Sequence, residues 1–331
     1  MENKISIANL PTKIEKLKKI SRELNVNIYI KRDDQTGTEI SGNKVRKLEY
    51  SIKEAIDNGC DTLITCGGIQ SNHARSTVAA GIKVGLSSVL VLRTNEEPEV
   101  DGNYLIDQLL GADIKFITSD EYSNKREEIM ENIKSELLQN GRKGYIIPEG
   151  ASNGIGSLGY IEFAKEVLDY EKEVGIEFDT IVVAVGSGGT YAGIHMGNNL
   201  YLDGKKRILG FNVCDTAEFF EEKVKNIILE SKNYLNKENS KKINLESIEI
   251  IDGYVGEGYA LSNESELDFI WNLAKNEGVI LDPVYTGKAM YGLYNELKKN
   301  KFKETKNILF VHTGGLFGLF PKKNQFNFKK K

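Results

Sequence analysis

The sequence predicts an α/β protein of two domains, each an open, mostly parallel twisted sheet with helices on both faces. Short apolar runs alternate with amphipathic stretches along almost the whole chain, the pattern of parallel strands covered by crossover helices. The run at 180–185, TIVVAV, is continuously apolar, as a strand buried on both faces must be. With 331 residues, of which 40% are hydrophobic, the chain can fill two cores.

In order, the pattern predicts a helix over 12–24, a strand at 27–31 and a helix opening near Lys44, whose Leu48, Ile52 and Ile56 recur at helical spacing. Strands at 62–66, 88–92, 114–117 and 144–147 then alternate with helices near 71–84, 104–110 and 124–139. A long amphipathic helix is expected at 156–174, followed by the buried strand 180–185, a helix over 191–202 and a strand at 207–213. A polar helix with a lysine-rich extension (216–242), a helix at 264–278, a helix from Gly287 and a last strand at 307–311 complete the chain. The central units read as a small domain, 56–159, inserted into a larger one built from 1–55 and 160–331. The cleft between them is the expected ligand site.

Composition narrows the function. Lys+Arg 44 against Asp+Glu 48 gives a net charge of -4, so no nucleic-acid partner is expected, and the basic end FNFKKK is short enough to be a solvated tail. No apolar run approaches the roughly 18 residues of a membrane span, and the first residues lack an apolar signal core; a cytoplasmic protein is expected. Cys60, Cys66 and Cys214 have no C-x-x-C spacing, and His73, His195 and His312 lie far apart, which argues against disulfides and metal catalysis.

Chemistry is carried by a few turns. In SGNKVRKLEY, Gly42 permits a tight entry, Asn43 is a plausible N-cap, and Lys44 falls in the first helical turn. The helix dipole and unpaired N–H groups there favour a neutral amine, and a positioned neutral amine is a nucleophile. In VVAVGSGGTYAG, a buried strand meets a turn of Gly186, Ser187, Gly188, Gly189 and Thr190, then a helix: a cup of backbone N–H groups and hydroxyls for a phosphate. It has neither the G-K-[ST] ending of a nucleoside triphosphate loop nor the G-x-G-x-x-G spacing of a dinucleotide site, so a monophosphate fits it better. In CGGIQSNHAR, Ser71, Asn72 and His73 open another helix and would offer hydroxyl, amide and ring N–H groups to a small carboxylate. Tyr285 and Thr286 in DPVYTGKAM, Thr313 in HTGG and Tyr259 in GEGYALSNE occupy further turns. A nucleophilic lysine, a monophosphate cup and a carboxylate turn together describe pyridoxal 5'-phosphate acting on an amino acid.

These residues carry a resemblance. GNKVRKLEY, GGIQSNHAR, the glycines and serine of SNGIGSLGY, VGSGGTYAG, DPVYTGKAM and HTGG, in that order, resemble the tryptophan-synthase-β-like (fold type II) pyridoxal phosphate enzymes. The resemblance spans about 10–320 and is strongest to the group holding 1-aminocyclopropane-1-carboxylate deaminase and D-cysteine desulfhydrase. It implies that Lys44 is the Schiff-base lysine, with Lys47 a charge behind it. It also implies that Asn72 contacts the ring oxygen of the cofactor, that Ser71 and His73 lie near the substrate carboxylate, and that 186–190 hold the phosphate. Tyr259 and Tyr285 would flank the substrate, and a homodimer is the implied assembly.

Within that group the resemblance separates two activities. The deaminases resemble DPVYEGK, HLGG and QSNQ where this chain has Thr286, Thr313 and His73. A carboxylate beside the pyridine nitrogen keeps it protonated and makes it a strong electron sink, which opening a cyclopropane ring demands. A hydroxyl does this less firmly and suits β-elimination, in which the leaving group removes the charge. The implied reaction is elimination from D-cysteine to pyruvate, ammonia and hydrogen sulfide. Ring-opening deamination and sulfite elimination from cysteate are the alternatives. Bulky Tyr191 and Ser262 depart from the group's pattern and would alter the cleft. From other classes, a nucleotide-binding oxidoreductase or a catalytically silent cofactor-binding protein could use the same glycine turn.

Overall fold

The structure, a computed structural model, describes residues 3–302 and 304–328; positions 329–331 of the basic tail lie outside the described residues. Two sheets organise it. The larger has strand order β1 (Ile14–Lys16), β2 (Asn27–Lys31), β10 (Asn307–Val311), β7 (Thr180–Val185), β8 (Arg207–Asn212) and β9 (Glu249–Ile251). The smaller runs β5 (Asp113–Ile117), β4 (Ser87–Arg93), β3 (Thr62–Gly68) and β6 (Gly144–Ile146). Every pairing is parallel except β1 with β2.

Helices cover both faces. On the larger sheet, Phe163, Ile194 and Phe220 fill one side and Ile270, Met290 and Leu293 the other. They come from α7 (Phe163–Val174), α8 (Gly189–Tyr201), α9 (Ala217–Ser231), α11 (Glu264–Glu277) and α12 (Thr286–Lys298). On the smaller sheet, α2 (Lys44–Asp57) and α3 (Asn72–Lys83) pack with Leu63 and Ile147, α4 (Gly102–Leu109) adds Tyr104 beside Leu90 and Leu92, and α5 (Ser119–Gln139) covers the opposite face. Because Val45, Leu48, Ile52 and Ala55 of α2 belong to the core of the smaller sheet, we propose that the small unit starts with α2 rather than at residue 56.

Five departures from the sequence reading have local causes. The first expected helix is divided: Ile14–Lys16 add antiparallel to the edge of β2, and only α1 (Lys18–Leu24) is helical. The long helix expected at 156–174 is preceded by α6 (Gly154–Ser157) and a short 3-10 turn, because the chain bends where a Cβ on Gly159 would collide with the Arg46 carbonyl of α2. The lysine-rich extension is separated as α10 (Lys237–Lys242), since Leu235 is extended and Asn236 caps the new helix. Strand β9 is too short, at three residues, to show periodicity. Helix α5 starts at Ser119 because Thr118 and Glu121 form a capping box.

Candidate active site

Strands β3, β7 and β10 end on the same side, and the turns that follow them converge on a cavity of about 540 Å3. Lys44, Ser71, Asn72, His73, Gly186, Ser187, Gly188, Thr190, Tyr259, Tyr285 and Thr313 all line it. Ligands enter α/β sheets at these carboxyl ends.

Lys44 begins α2, and its ammonium donates to Asn43 Oδ1 at 3.2 Å. Burial, with a smaller contribution from Arg75, brings its pKa down to about 8 against the opposing pull of Glu149 and Asp282. Asn43 is not the helix cap expected from sequence. Its side chain makes no capping bond, and its Nδ2 donates to Thr190 Oγ1 at 2.9 Å. The entry to α2 is pinned by Asn43 N donating to Thr313 O, and Gly42, at φ 100°, lets that carbonyl pass within 3.0 Å of where a Cβ would stand.

The glycine turn expected to hold a phosphate lies between β7 and α8, with Gly188 at φ 87° and Ser187 and Thr190 offering hydroxyls. Ser187 Oγ is 2.7 Å from Ser152 Oγ, and Gly189 N donates to the same Ser152 oxygen at 3.3 Å, which draws Gly189 off the cavity wall. Lys47, fully buried, donates to Ser152 Oγ at 2.8 Å and to Gly150 O at 2.6 Å. Burial, with Lys44 and Lys223 adding to it, holds its pKa well below the ordinary lysine value. A dianionic group in the cup would offset that burial. Lys47 and Ser152 lie behind the turn, off the cavity wall, as expected of a background charge, while Lys223 lines the cavity.

At the carboxylate turn, Ser71 Oγ accepts from Ala74 N at 3.1 Å, so the serine caps α3 and keeps its own proton to donate. His73 departs from the sequence reading. Thr65 Oγ1 gives its proton to Ile147 O at 2.7 Å and so accepts from His73 Nε2 at 2.8 Å, which places the ring N–H toward the sheet. Burial holds the imidazole neutral, with Lys44 and Lys47 contributing, and its bare Nδ1 has no partner among the described residues. The donors left for a carboxylate are Ser71 and the first backbone N–H groups of α3.

Tyr259 and Tyr285 face each other, ring centres 6.0 Å apart, with their hydroxyls hydrogen-bonded. Desolvation raises Tyr259, whose residue is partly exposed, to about 12 and Tyr285 well above its usual value, so both phenols keep their protons at neutral pH. Ser262 Oγ donates to Pro283 O at 2.8 Å and ties the Tyr259 loop to the turn before Tyr285. Thr286 is a correction: it is fully buried, off the cavity wall, and donates from Oγ1 to Asp282 Oδ1 at 2.6 Å. Asp282 also accepts from the backbone N–H groups of Val284, Tyr285 and Thr286. Thr313 stays on the wall. Tyr191 lines the cavity, with its ring buried and its hydroxyl donating to Ile208 O and accepting from Glu249 N across β8 and β9.

An amine held near neutrality, a cup of hydroxyls and N–H groups with a buried lysine behind it, and a helix start for a carboxylate fit one group on chemistry alone. The family profile described as pyridoxal-phosphate dependent enzyme matches residues 5–314. The chain belongs to that family. A relative from Arabidopsis thaliana, named bifunctional D-cysteine desulfhydrase/1-aminocyclopropane-1-carboxylate deaminase, mitochondrial, is 43% identical over 97% of this chain and 80% of its own. D-cysteine desulfhydrase of Serratia proteamaculans is 36% identical over 96% and 95%. A solved structure described as an ACC deaminase homologue superposes with a TM-score of 0.88, at 38% identity over 98% of this chain and 95% of that one. The fold is therefore that of the fold type II enzymes, the cofactor is pyridoxal phosphate, and the protein is an enzyme of the lyase and deaminase group. The oxidoreductase reading of the glycine turn is overturned by this match. Among the described residues, no helix is long and apolar enough to cross a membrane.

Proposed function

We propose that the enzyme carries out α,β-elimination on D-cysteine, releasing hydrogen sulfide, pyruvate and ammonia. When bound, pyridoxal phosphate would supply an electrophilic aldehyde carbon for the substrate nitrogen and an electron sink for the electrons left at Cα. The chain's own groups do the rest. Ser71 and the start of α3 bind the substrate carboxylate. Asn72 would contact the ring oxygen, and Ser187, Thr190, Lys47 and the start of α8 would hold the phosphate. Lys44, whose amine is near half-neutral at pH 8, takes the Cα proton, a role worth about 10²–10⁴ in rate. Tyr259 and Tyr285, both protonated, can donate to the departing sulfur.

The observation that carries this reading is the hydroxyl character of the turn after β10. Thr313 lines the cavity, while Asp282, the carboxylate of the turn before α12, lies off its wall and is engaged by the donors of 284–286. A hydroxyl cannot keep the pyridine nitrogen protonated as a carboxylate can, which favours a substrate whose leaving group removes the charge. The second reading, ring opening of 1-aminocyclopropane-1-carboxylate, is supported by the double name of the Arabidopsis relative. Measuring kcat/KM for both amino acids decides between them: D-cysteine is expected to lead by at least about tenfold, and a lead for the cyclopropane substrate overturns the proposal.

A further inference from the structure

Behind the carboxylate turn, a chain of polar groups determines which end of Asn72 faces the cavity. Arg75 of α3 is 1% exposed and lies off the cavity wall. Its Nε donates to Asn103 Oδ1 at 3.1 Å, and its other nitrogens donate to the carbonyls of Glu39 and Ser41. A guanidinium only donates, so Asn103 must turn its oxygen toward Arg75. The Asn103 nitrogen then points the other way and donates to Gln70 O and to Asn72 Oδ1, both at 3.0 Å. With its oxygen engaged, Asn72 can present only its NH2 to the cavity it lines. Asp107, one turn after Asn103 on α4, is wholly buried, has neither carboxylate oxygen hydrogen-bonded among the described residues, and is raised by burial to about 8 against the pull of Arg75.

We propose that Arg75 and Asn103 are positioning residues that set the polarity of the Asn72 amide, so that the cofactor's ring oxygen meets an NH2 donor and not a carbonyl oxygen. This rests on the reading of Asn72 as the residue at that oxygen. Two amides in contact can otherwise exchange roles by turning over; Arg75, which can only donate, and the Gln70 carbonyl, which can only accept, together fix the sense of the whole chain.

The test reverses the polarity without changing the shape. In Asn103→Asp the new carboxylate can only accept, so Asn72 must donate to it and turn its own oxygen to the cavity. Asn103→Ala merely frees Asn72. Pyridoxal phosphate is titrated into each protein, following its dissociation constant and the pH midpoint of its visible absorption. We expect the aspartate variant to bind about thirtyfold or more weaker with a displaced midpoint, and the alanine variant about fivefold weaker. Equal losses, or a greater loss in alanine, overturn the proposal. If the aspartate variant does not fold, Asn103→Ser, whose hydroxyl can still donate, replaces it: binding within about twofold of the parent supports the proposal, and a loss equal to alanine's contradicts it. Asn72→Ala separates the two levels. If that change leaves affinity and absorption untouched, the reading of Asn72 itself fails; if it weakens binding while Asn103→Asp and Asn103→Ala behave alike, only the positioning role falls.

Discussion

Asn43 donates from its side-chain amide to Thr190 Oγ1 at 2.9 Å, joining residues 147 positions apart in the chain. The same amide accepts from Lys44 at 3.2 Å, so one side chain connects the amine we propose as reactive to the turn we propose as the phosphate cup. The two functions are held in register by a bond between the first turns of α2 and α8.

Asn43→Ala should break that connection at little expense to the fold. Losing one such bond is worth about 1 kcal/mol. The expected result is an approximately fivefold weaker hold on pyridoxal phosphate, read by fluorescence titration, with the melting temperature lowered by only a few degrees.

The depressed pKa of Lys44 gives a pH prediction. Only the neutral amine attacks the aldehyde, and burial brings the group from its ordinary value of 10.5 to about 8. The rate at which cofactor-free protein captures pyridoxal phosphate should climb as pH rises and level off above about 8. An exposed lysine would still be gaining at pH 10. Stopped-flow absorbance across pH 6–10 reads the midpoint.

Arg46 sits two residues beyond the nucleophile, 1% exposed, with Nε and Nη2 on Asp33 at 2.9 Å and Nη1 on Glu166 at 2.6 Å. Removing one partner of a buried charge network leaves the other uncompensated, at about 3–5 kcal/mol. Arg46→Leu should lower stability by that order in urea unfolding, far beyond the effect of an exposed arginine such as Arg22.

Gly42→Ala addresses the entry to α2. At φ 100° and 3.0 Å from Thr313 O, a methyl group is strained in conformation and in space. A penalty of about 1–3 kcal/mol is expected, together with weaker cofactor binding because Thr313 must move. Equal stability and affinity to the parent would refute the role given to this turn.

The parts of the site legible in the sequence were those whose chemistry is local. Glycines with hydroxyls after a buried strand read as an anion cup because few other compositions suit such a turn, and Lys44 read as special because its helix start was visible in the periodicity. What escaped was set by partners distant in sequence. Asn43 looked like a cap because its bond to Thr190 spans the molecule. Arg46 carried no local signal, and Lys47 was expected only as a charge behind Lys44, yet the chain folds α6 and the segment after it over them. The ring of His73 was expected to face the ligand, and only the meeting of β3 with the turn at Ile147 shows Thr65 waiting for its proton. Thr286 is the exception: its bond to Asp282 spans four residues, and the D-x-x-x-T spacing was there to be read. For the fold, the parallel order and the two sheets followed from alternation, whereas β1 and β9, three residues each, were too short for any period to register.

The most direct trial of the whole arrangement is borohydride trapping followed by peptide mass spectrometry of the cofactor-loaded protein. Reduction of the imine should leave the pyridoxyl mass on the peptide containing Lys44 and on no other lysine, Lys47 included. Label on a peptide without Lys44, or no label at all, would contradict it.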